Sequence, residues 1–210
     1  MDKRRYVQRR RAEAAQETRE RILEAARESL RAGALGAVRV DDVARSAGVA
    51  RSTVYVIFGS RAGLFGALAD DLLVRVGFPR IVEAFRDPDP RRALRLSLEA
   101  ASQVYAAEPE IARALFTLGT IDPDAVVAVQ RVEDGRWPGM RELARRLDEA
   151  GALRDDTSAE AAAQMLWLLT SFGSFDQLFG ERGLAPRTVA ERLTTLAERS
   201  LLRPALLDGR

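Results

Sequence analysis

The sequence predicts an all-α fold: three small helices, and a fourth that joins them to a larger helical body. Two observations carry this. Long segments rich in Ala, Leu, Arg and Glu favour helix, and none shows the two-residue alternation of a strand. Proline then recurs at the first position of successive helices, at Pro90, Pro109, Pro123 and Pro186, where its missing N–H is of no consequence.

Each element follows in order. "MDKRRYVQRRRAEAAQE" is a polar, basic lead-in over residues 1–17. Thr18 suits the N-cap of "RERILEAARESLRAG", with Ile22, Leu23, Ala26 and Leu30 at helical spacing and Gly33 at its end. "VDDVARSAG" is a short helix with Asp41 and Asp42 in its first turn, favourable to the dipole, stopping at Gly48. "ARSTVYVIF" follows and ends at Gly59, and Ser60 caps "RAGLFGALADDLLVRVGF", which stops before Pro79. Pro90 and Pro109 open the next two helices. Pro123 opens "DAVVAVQRVEDGRW", interrupted at Gly135 and Pro138 and resuming as "GMRELARRLDEAG". Thr157–Glu160 reads as a capping box ahead of "AAAQMLWLLTSFGSFDQLFG", and Pro186 opens the last helix. The division expected is a basic arm over 1–17, a first domain over 18–77 and a second over 78–210.

Composition narrows the function. A chain of 210 residues can bury a core without disulfides, and it has neither cysteine nor histidine. That excludes a thiolate nucleophile, a Ser-His-Asp triad and a zinc hydrolase of the ordinary type. Glu133-Asp134 is the one adjacent acidic pair near an expected break in the body, and nothing in the sequence orients it. No catalytic residue, metal site or cofactor is expected. The basic start has no apolar run behind it, and "MLWLLTSFG" is shorter than the roughly 20 residues a bilayer span needs, so no membrane partner and a cytoplasmic location are expected. Net charge is +2, but the segment up to Arg61 holds fourteen basic against eight acidic residues, which leaves the remainder at −4. A basic front suits a polyanion.

The second and third helices, joined by "SAGVA", have the small residues and the glycine that a helix-turn-helix needs to turn steeply: Ala44, Ala47 and Gly48. Val43, Val49, Val54 and Phe58 suit its small core. The run "VDDVARSAGVARSTVYVIFGSRAGLF", with Val43, Ala44, Ala47, Gly48, Val49, Thr53, Tyr55 and Phe58 in register, resembles the DNA-binding domain of the TetR family of bacterial repressors. The resemblance runs from about Thr18 to Leu73. The rest is similar in layout to the family's helical ligand-binding and dimerisation domain.

The resemblance implies that the third helix enters the major groove of double-stranded operator DNA. On a wheel, Val54 and Phe58 share the core face, while Ser52 and Val56 point away from it, flanked by Arg51 and Thr53. Arg51 is then the candidate for guanine O6/N7, Ser52 for a base edge or phosphate, and Val56 for a thymine methyl. Thr53 and Tyr55 resemble the family's phosphate-contacting hydroxyls, and Arg61 stands where the family has a phosphate-binding lysine. Three positions depart from the pattern. Ile57 replaces a polar aromatic or histidine, and either packs on the fourth helix or faces DNA. Ala50 replaces a capping Ser or Thr. Arg39 replaces a common Thr, and either reaches a phosphate or is solvated. Lys3, Arg4 and Arg5 of the arm have two readings also, minor-groove or phosphate contact against a solvated tail.

For the second domain, the resemblance implies an effector pocket and a homodimer. Phe78, Phe85, Tyr105, Phe116, Trp137, Met140, Met165, Trp167 and Phe172 are candidate lining for an unknown small-molecule effector, expected to be apolar or aromatic. Ala162, Leu166, Leu169, Val189, Leu193 and Leu196 lie at helical spacing as a candidate dimer seam, with intrachain core as their other reading. The function expected is a dimeric repressor released by its effector. The alternative is a ligand-independent regulator, or an activator, whose second domain only dimerises.

Overall fold

A computed structural model describes residues 3–32 and 38–204, with side chains described from residue 8 onward, residue 11 excepted. Among the described residues the chain forms eleven α-helices, and the one β pairing is an isolated antiparallel bridge between Leu153 and Leu202. The predicted all-α class is correct, with an N-terminal helix-turn-helix domain and a helical C-terminal domain.

Two compact units emerge. The first comprises the chain up to Leu72 together with Glu110–Gln130. It holds α1 (Lys3–Arg31), α2 (Val40–Ser46), α3 (Arg51–Phe58), most of α4 (Arg61–Arg75), α7 (Pro109–Ile121) and the start of α8 (Pro123–Glu149). Its core is built from Ile22, Leu23, Ala26 and Leu30 of α1, Val43 and Ala44 of α2, Val54 of α3, and Leu64, Phe65 and Leu68 of α4, all buried. One cation lies inside it: the Arg27 side chain is 3% exposed and pairs with Asp71 and Glu24.

The second unit comprises Leu73–Pro109 and the chain from Arg131 on. It holds α5 (Phe78–Phe85), α6 (Pro90–Ala107), the rest of α8, α9 (Ala159–Leu169), α10 (Phe172–Phe179) and α11 (Pro186–Leu201). α6 is central, packing on α5, α10 and α11. Leu94, Leu98, Leu143, Leu147, Leu166, Phe175 and Val189 are its fully buried large side chains.

Several element boundaries differ from the sequence reading. α1 runs through Thr18, whose hydroxyl donates to the Ala14 carbonyl at 2.8 Å instead of capping a helix start. The expected end at Gly33 lies outside the described residues. The fourth helix stops at Arg75, and a separate α5 begins at Phe78 after Gly77, whose φ of 86° places it in the left-handed region. α8 continues through Gly135 and Pro138 without the expected break. Pro138 removes one backbone donor, yet buried Met140, Leu143, Ala144 and Leu147 hold the helix in place. The cap at Ala159 is Ser158, which accepts from the Ala161 amide at 3.2 Å, one residue later than a box starting at Thr157. The expected single helix beyond it is two, α9 and α10, divided at Thr170 and Ser171.

Candidate functional site

The turn between α2 and α3 is built as the sequence implied. Gly48 has φ 67°, and the Val43 and Ala44 carbonyls accept from Ala47 at 2.9 Å and Val49 at 3.0 Å. α3 has no side-chain cap at Ala50, in keeping with the missing Ser or Thr. Ser60 does cap α4, accepting from the Gly63 amide at 2.9 Å.

α3 buries one face and exposes the other. Val54 is buried and Phe58 half-buried, with the Arg19 guanidinium 5.6 Å from the Phe58 ring centroid. Arg51 and Ser52 are exposed, Tyr55 is at the margin, and Val56 is 85% exposed, an extreme value for a valine. Thr53 and Ile57 are half-buried. Arg39 is exposed at the start of α2 and gives no side-chain cap there. Lys3, Arg4 and Arg5 fall within α1, but their side chains lie outside those described. Further along the same helix Arg9 is tied to Glu13 at 2.8 Å.

Arg51 is held in place. Its Nη1 donates to both carboxylate oxygens of Asp41 at 3.0 Å, and its Nη2 donates to the Tyr55 hydroxyl at 3.3 Å. These neighbours, Tyr55 first, raise its pKa above an already high value, so it is a permanent cation. Asp41 was absent from the sequence reading beyond its dipole role. It lies ten residues from Arg51, a separation no helical period links, and the α2–α3 turn alone brings them together.

Arg61 is engaged within the chain. It donates to Asp122 at 2.6 and 2.8 Å, to Asp124 at 3.0 Å and to the Val38 carbonyl at 3.2 Å, and stacks 4.8 Å from the Phe65 ring centroid. Its guanidinium holds the Asp122 carboxyl below the usual carboxylate range. A cation so engaged stitches α4 to Asp122 and Asp124 at the start of α8 within the first unit.

The candidate dimer seam is largely internal too. Ala162, Leu166, Leu169, Val189 and Leu193 are buried within one chain, which favours their other reading as core. Of the six, Leu196 alone is exposed, at 49%. The outward apolar side chains of α9 are instead Leu168, 52% exposed, and Trp167, 38% exposed. The 3.6-residue period marks a stripe but not which of two stripes faces inward, and on α9 both are apolar.

The candidate effector lining scatters. Tyr105 and Phe172 meet edge to face at 5.4 Å, and Phe175 and Phe179, not singled out from the sequence, extend that aromatic cluster at 5.7 and 4.9 Å. Met140 is buried beside it, its sulfur 3.5 Å from the Thr170 hydroxyl, which donates to the Leu166 carbonyl at 2.7 Å. Phe78, Phe85, Met165 and Trp137 are half-buried elsewhere in the second unit, Trp167 faces outward, and Phe116 belongs to the first unit. Burial pushes the Tyr105 phenol above its ordinary pKa, so its hydroxyl stays a donor, reaching the Thr170 carbonyl at 3.2 Å. An open groove of about 430 Å³ lies along α8 and α9, where Trp137, Pro138 and Ala163 meet Arg141, Glu142 and Arg145. Among the described residues no cluster of side chains is able to hold a metal ion, and no single helix is long and apolar enough to cross a membrane.

A short helix with a cationic, hydroxyl-bearing outer face, presented by a glycine turn, defines a helix-turn-helix DNA-binding protein. Comparison with known proteins makes this specific. Residues 22–68 match the model for bacterial regulatory proteins of the tetR family. The HTH-type transcriptional regulator EthR of Mycolicibacterium smegmatis is 30% identical over 184 residues, 82% of this chain and 81% of the relative. The HTH-type transcriptional repressor BepR of Brucella suis is 29% identical over 220 residues, 95% of this chain and 98% of the relative. NalD of Pseudomonas aeruginosa, the secondary repressor of the MexAB-OprM multidrug efflux pump, superposes with a TM-score of 0.71 at 26% identity, covering 91% of this chain and 98% of NalD. The chain belongs to the TetR family and is a DNA-binding transcriptional regulator. Regulators of this family bind DNA and act as dimers.

Proposed function

We propose that the chain is a ligand-responsive repressor that works in the cytoplasm. As a homodimer it binds a palindromic operator, and a small apolar or aromatic effector releases it. The observation that carries the DNA-reading part is the outer face of α3, where Arg51, Ser52 and Val56 stand exposed in sequence positions matched by the family model. Arg51 reads a guanine, Val56 packs on a thymine methyl, and Ser52, Thr53 and Tyr55 meet base edges or phosphates. Arg39 and the basic start of α1, with Lys3, Arg4 and Arg5, add phosphate attraction.

The dimer seam is formed around Leu168, Trp167 and Leu196, the exposed apolar residues of α9 and α11. The effector enters at the aromatic cluster of Tyr105, Phe172, Phe175 and Phe179, and favours a dimer whose two α3 helices no longer match the operator half-sites. Repression of an efflux pump by NalD, and the repressor description of BepR, support the negative sign. One observation favours a second reading, a regulator whose C-terminal domain only dimerises: the aromatic rings pack on one another with centroids 4.9–5.7 Å apart. A cluster so filled opens only if a ligand separates the rings.

Selection of bound duplexes from a random DNA pool tests the first part. A two-fold symmetric sequence is expected, and failure to enrich any sequence overturns it. A ligand found by thermal-shift screening then tests the second part. It is expected to release that operator, and a tight ligand that leaves DNA affinity unchanged overturns the derepression reading.

A further inference from the structure

We propose that Asp41 is a specificity-determining positioning residue. It fixes Arg51 so that the Nε and Nη2 edge of the guanidinium is aimed for side-on bidentate recognition of a guanine. The proposal rests on the reading that α3 enters the major groove.

Donor bookkeeping carries it. A guanidinium has five N–H donors in a rigid plane. Nη1 donates to both carboxylate oxygens of Asp41, and Nη2 donates to the Tyr55 hydroxyl. The second Nη2 donor and the Nε–H have no partner among the described residues. The Nε–H and the Nη2–H beside it are parallel on one edge of the plane, the fork that pairs with two acceptors such as O6 and N7 of guanine. The Tyr55 ring adds a second constraint, lying 5.6 Å from the Arg51 guanidinium carbon.

A free exposed arginine samples many rotamers and satisfies itself on any phosphate nearby. Asp41 removes that option by anchoring one end of the guanidinium to α2, a different helix from the one that carries Arg51. What remains for an outside acceptor is the Nε–H and the second Nη2–H. The arrangement has an opposing effect as well. A carboxylate beside the groove repels phosphate, so Asp41 weakens binding to any duplex while sharpening discrimination at one base pair. Removing it should therefore move the two quantities in opposite directions.

Asp42 supplies the control. It is the next residue, carries the same charge and pairs with Arg45 at 2.9 Å instead of with α3. The experiment uses the full chain and the operator that the wild type selects from a random pool. Anisotropy titrations compare that operator, its single base-pair variants and an unrelated duplex. Wild type is expected to show a G·C pair whose replacement weakens binding at least tenfold. Arg51→Ala should lose that preference. Asp41→Asn should cut the preference several-fold while tightening binding to the unrelated duplex, and Asp41→Glu should restore part of the discrimination. Asp42→Asn should tighten unrelated-duplex binding and leave discrimination unchanged. Circular dichroism of each variant confirms the fold, which the exposed position of Asp41 favours.

Unchanged discrimination in Asp41→Asn overturns the proposal and leaves the DNA-binding reading intact. So does equal loss in Asp42→Asn, which reduces the effect to charge. A wild-type chain that enriches no sequence overturns the regulator reading, and this inference with it.

Discussion

Two of the surfaces that leave large apolar side chains in water differ in what surrounds them. On α3 the exposed Val56 has Ser52 one turn before it, Tyr55 beside it and Arg51 at the start of the same short helix. On α9 and α11 the exposed Leu168, Trp167 and Leu196 stand on helices whose opposite faces are fully buried. Exposure alone does not separate the two. A lone aliphatic among donors suits a surface that is polar everywhere but at a thymine methyl. Several large apolar groups on neighbouring helices suit another protein surface. The lesson is that partner chemistry is read from the company an exposed residue keeps.

The largest expected effect breaks the second surface. Leu168→Glu combined with Leu196→Glu should give a monomer by sedimentation, and operator affinity should fall by about 10²–10⁴, because two linked heads then bind as one. Leu166→Ala sharpens the contrast. Two residues earlier, and so on the opposite face of α9, Leu166 is fully buried, and its truncation should cost about 2–5 kcal/mol in urea unfolding at any protein concentration. If the Leu166 change instead dissociated the dimer without loss of monomer stability, inner and outer stripes of α9 would have to be exchanged.

Arg61→Gln comes next. It should lower stability by about 1–3 kcal/mol, because Asp122 and Asp124 then lose their shared partner while half-buried. Operator affinity corrected for folded fraction should stay within a few-fold, whereas a phosphate contact would lose that affinity and flatten its salt dependence. The Asp122 carboxyl carries a pH signature. Its folded pKa is depressed, so its contribution is present above the unfolded value of about 4 and is lost as pH falls through the lower folded value. Urea stability of wild type and Asp122→Asn should differ most near neutrality and converge in acid. The smallest effect belongs to Val56→Thr, expected to change preference at one A·T pair by a few-fold, about 1 kcal/mol or less. A uniform change across all sequences would remove Val56 from base reading.

Much of the first unit was legible in the sequence. Its helix-turn-helix is specified by short-range chemistry: a glycine with positive φ at Gly48, a cap at Ser60 and one buried valine at Val54. What escaped was the pairing of distant charges. Nothing local distinguishes Arg61, held by carboxylates 61 and 63 residues away, from Arg51, held by one ten residues away. In the second unit the starts of α6 and α11 were legible, because Pro90 and Pro186 mark them. The assignment of faces was not. α9 is apolar on nearly every side, so the period that separates inside from outside on an amphipathic helix is silent there. Pro138 misled for the opposite reason, since a local breaking signal was overridden by the buried residues around it.

The break between α9 and α10 has one further consequence. Carbonyls near the end of α9 are held from outside: Trp167 by Arg136 at 2.8 Å, Leu168 by the Ser174 hydroxyl at 2.7 Å, and Thr170 by Tyr105 at 3.2 Å. In a continuous helix the next turn's amides would close them. In the language of amide hydrogen exchange, the break is a border between two segments able to open separately, α9 before Thr170 and α10 after Ser171. Protection of the last α9 amides then reports on side chains from α6 and α8. Tyr105→Phe should lower it, and with it the rigidity of the turn that carries Trp167 and Leu168.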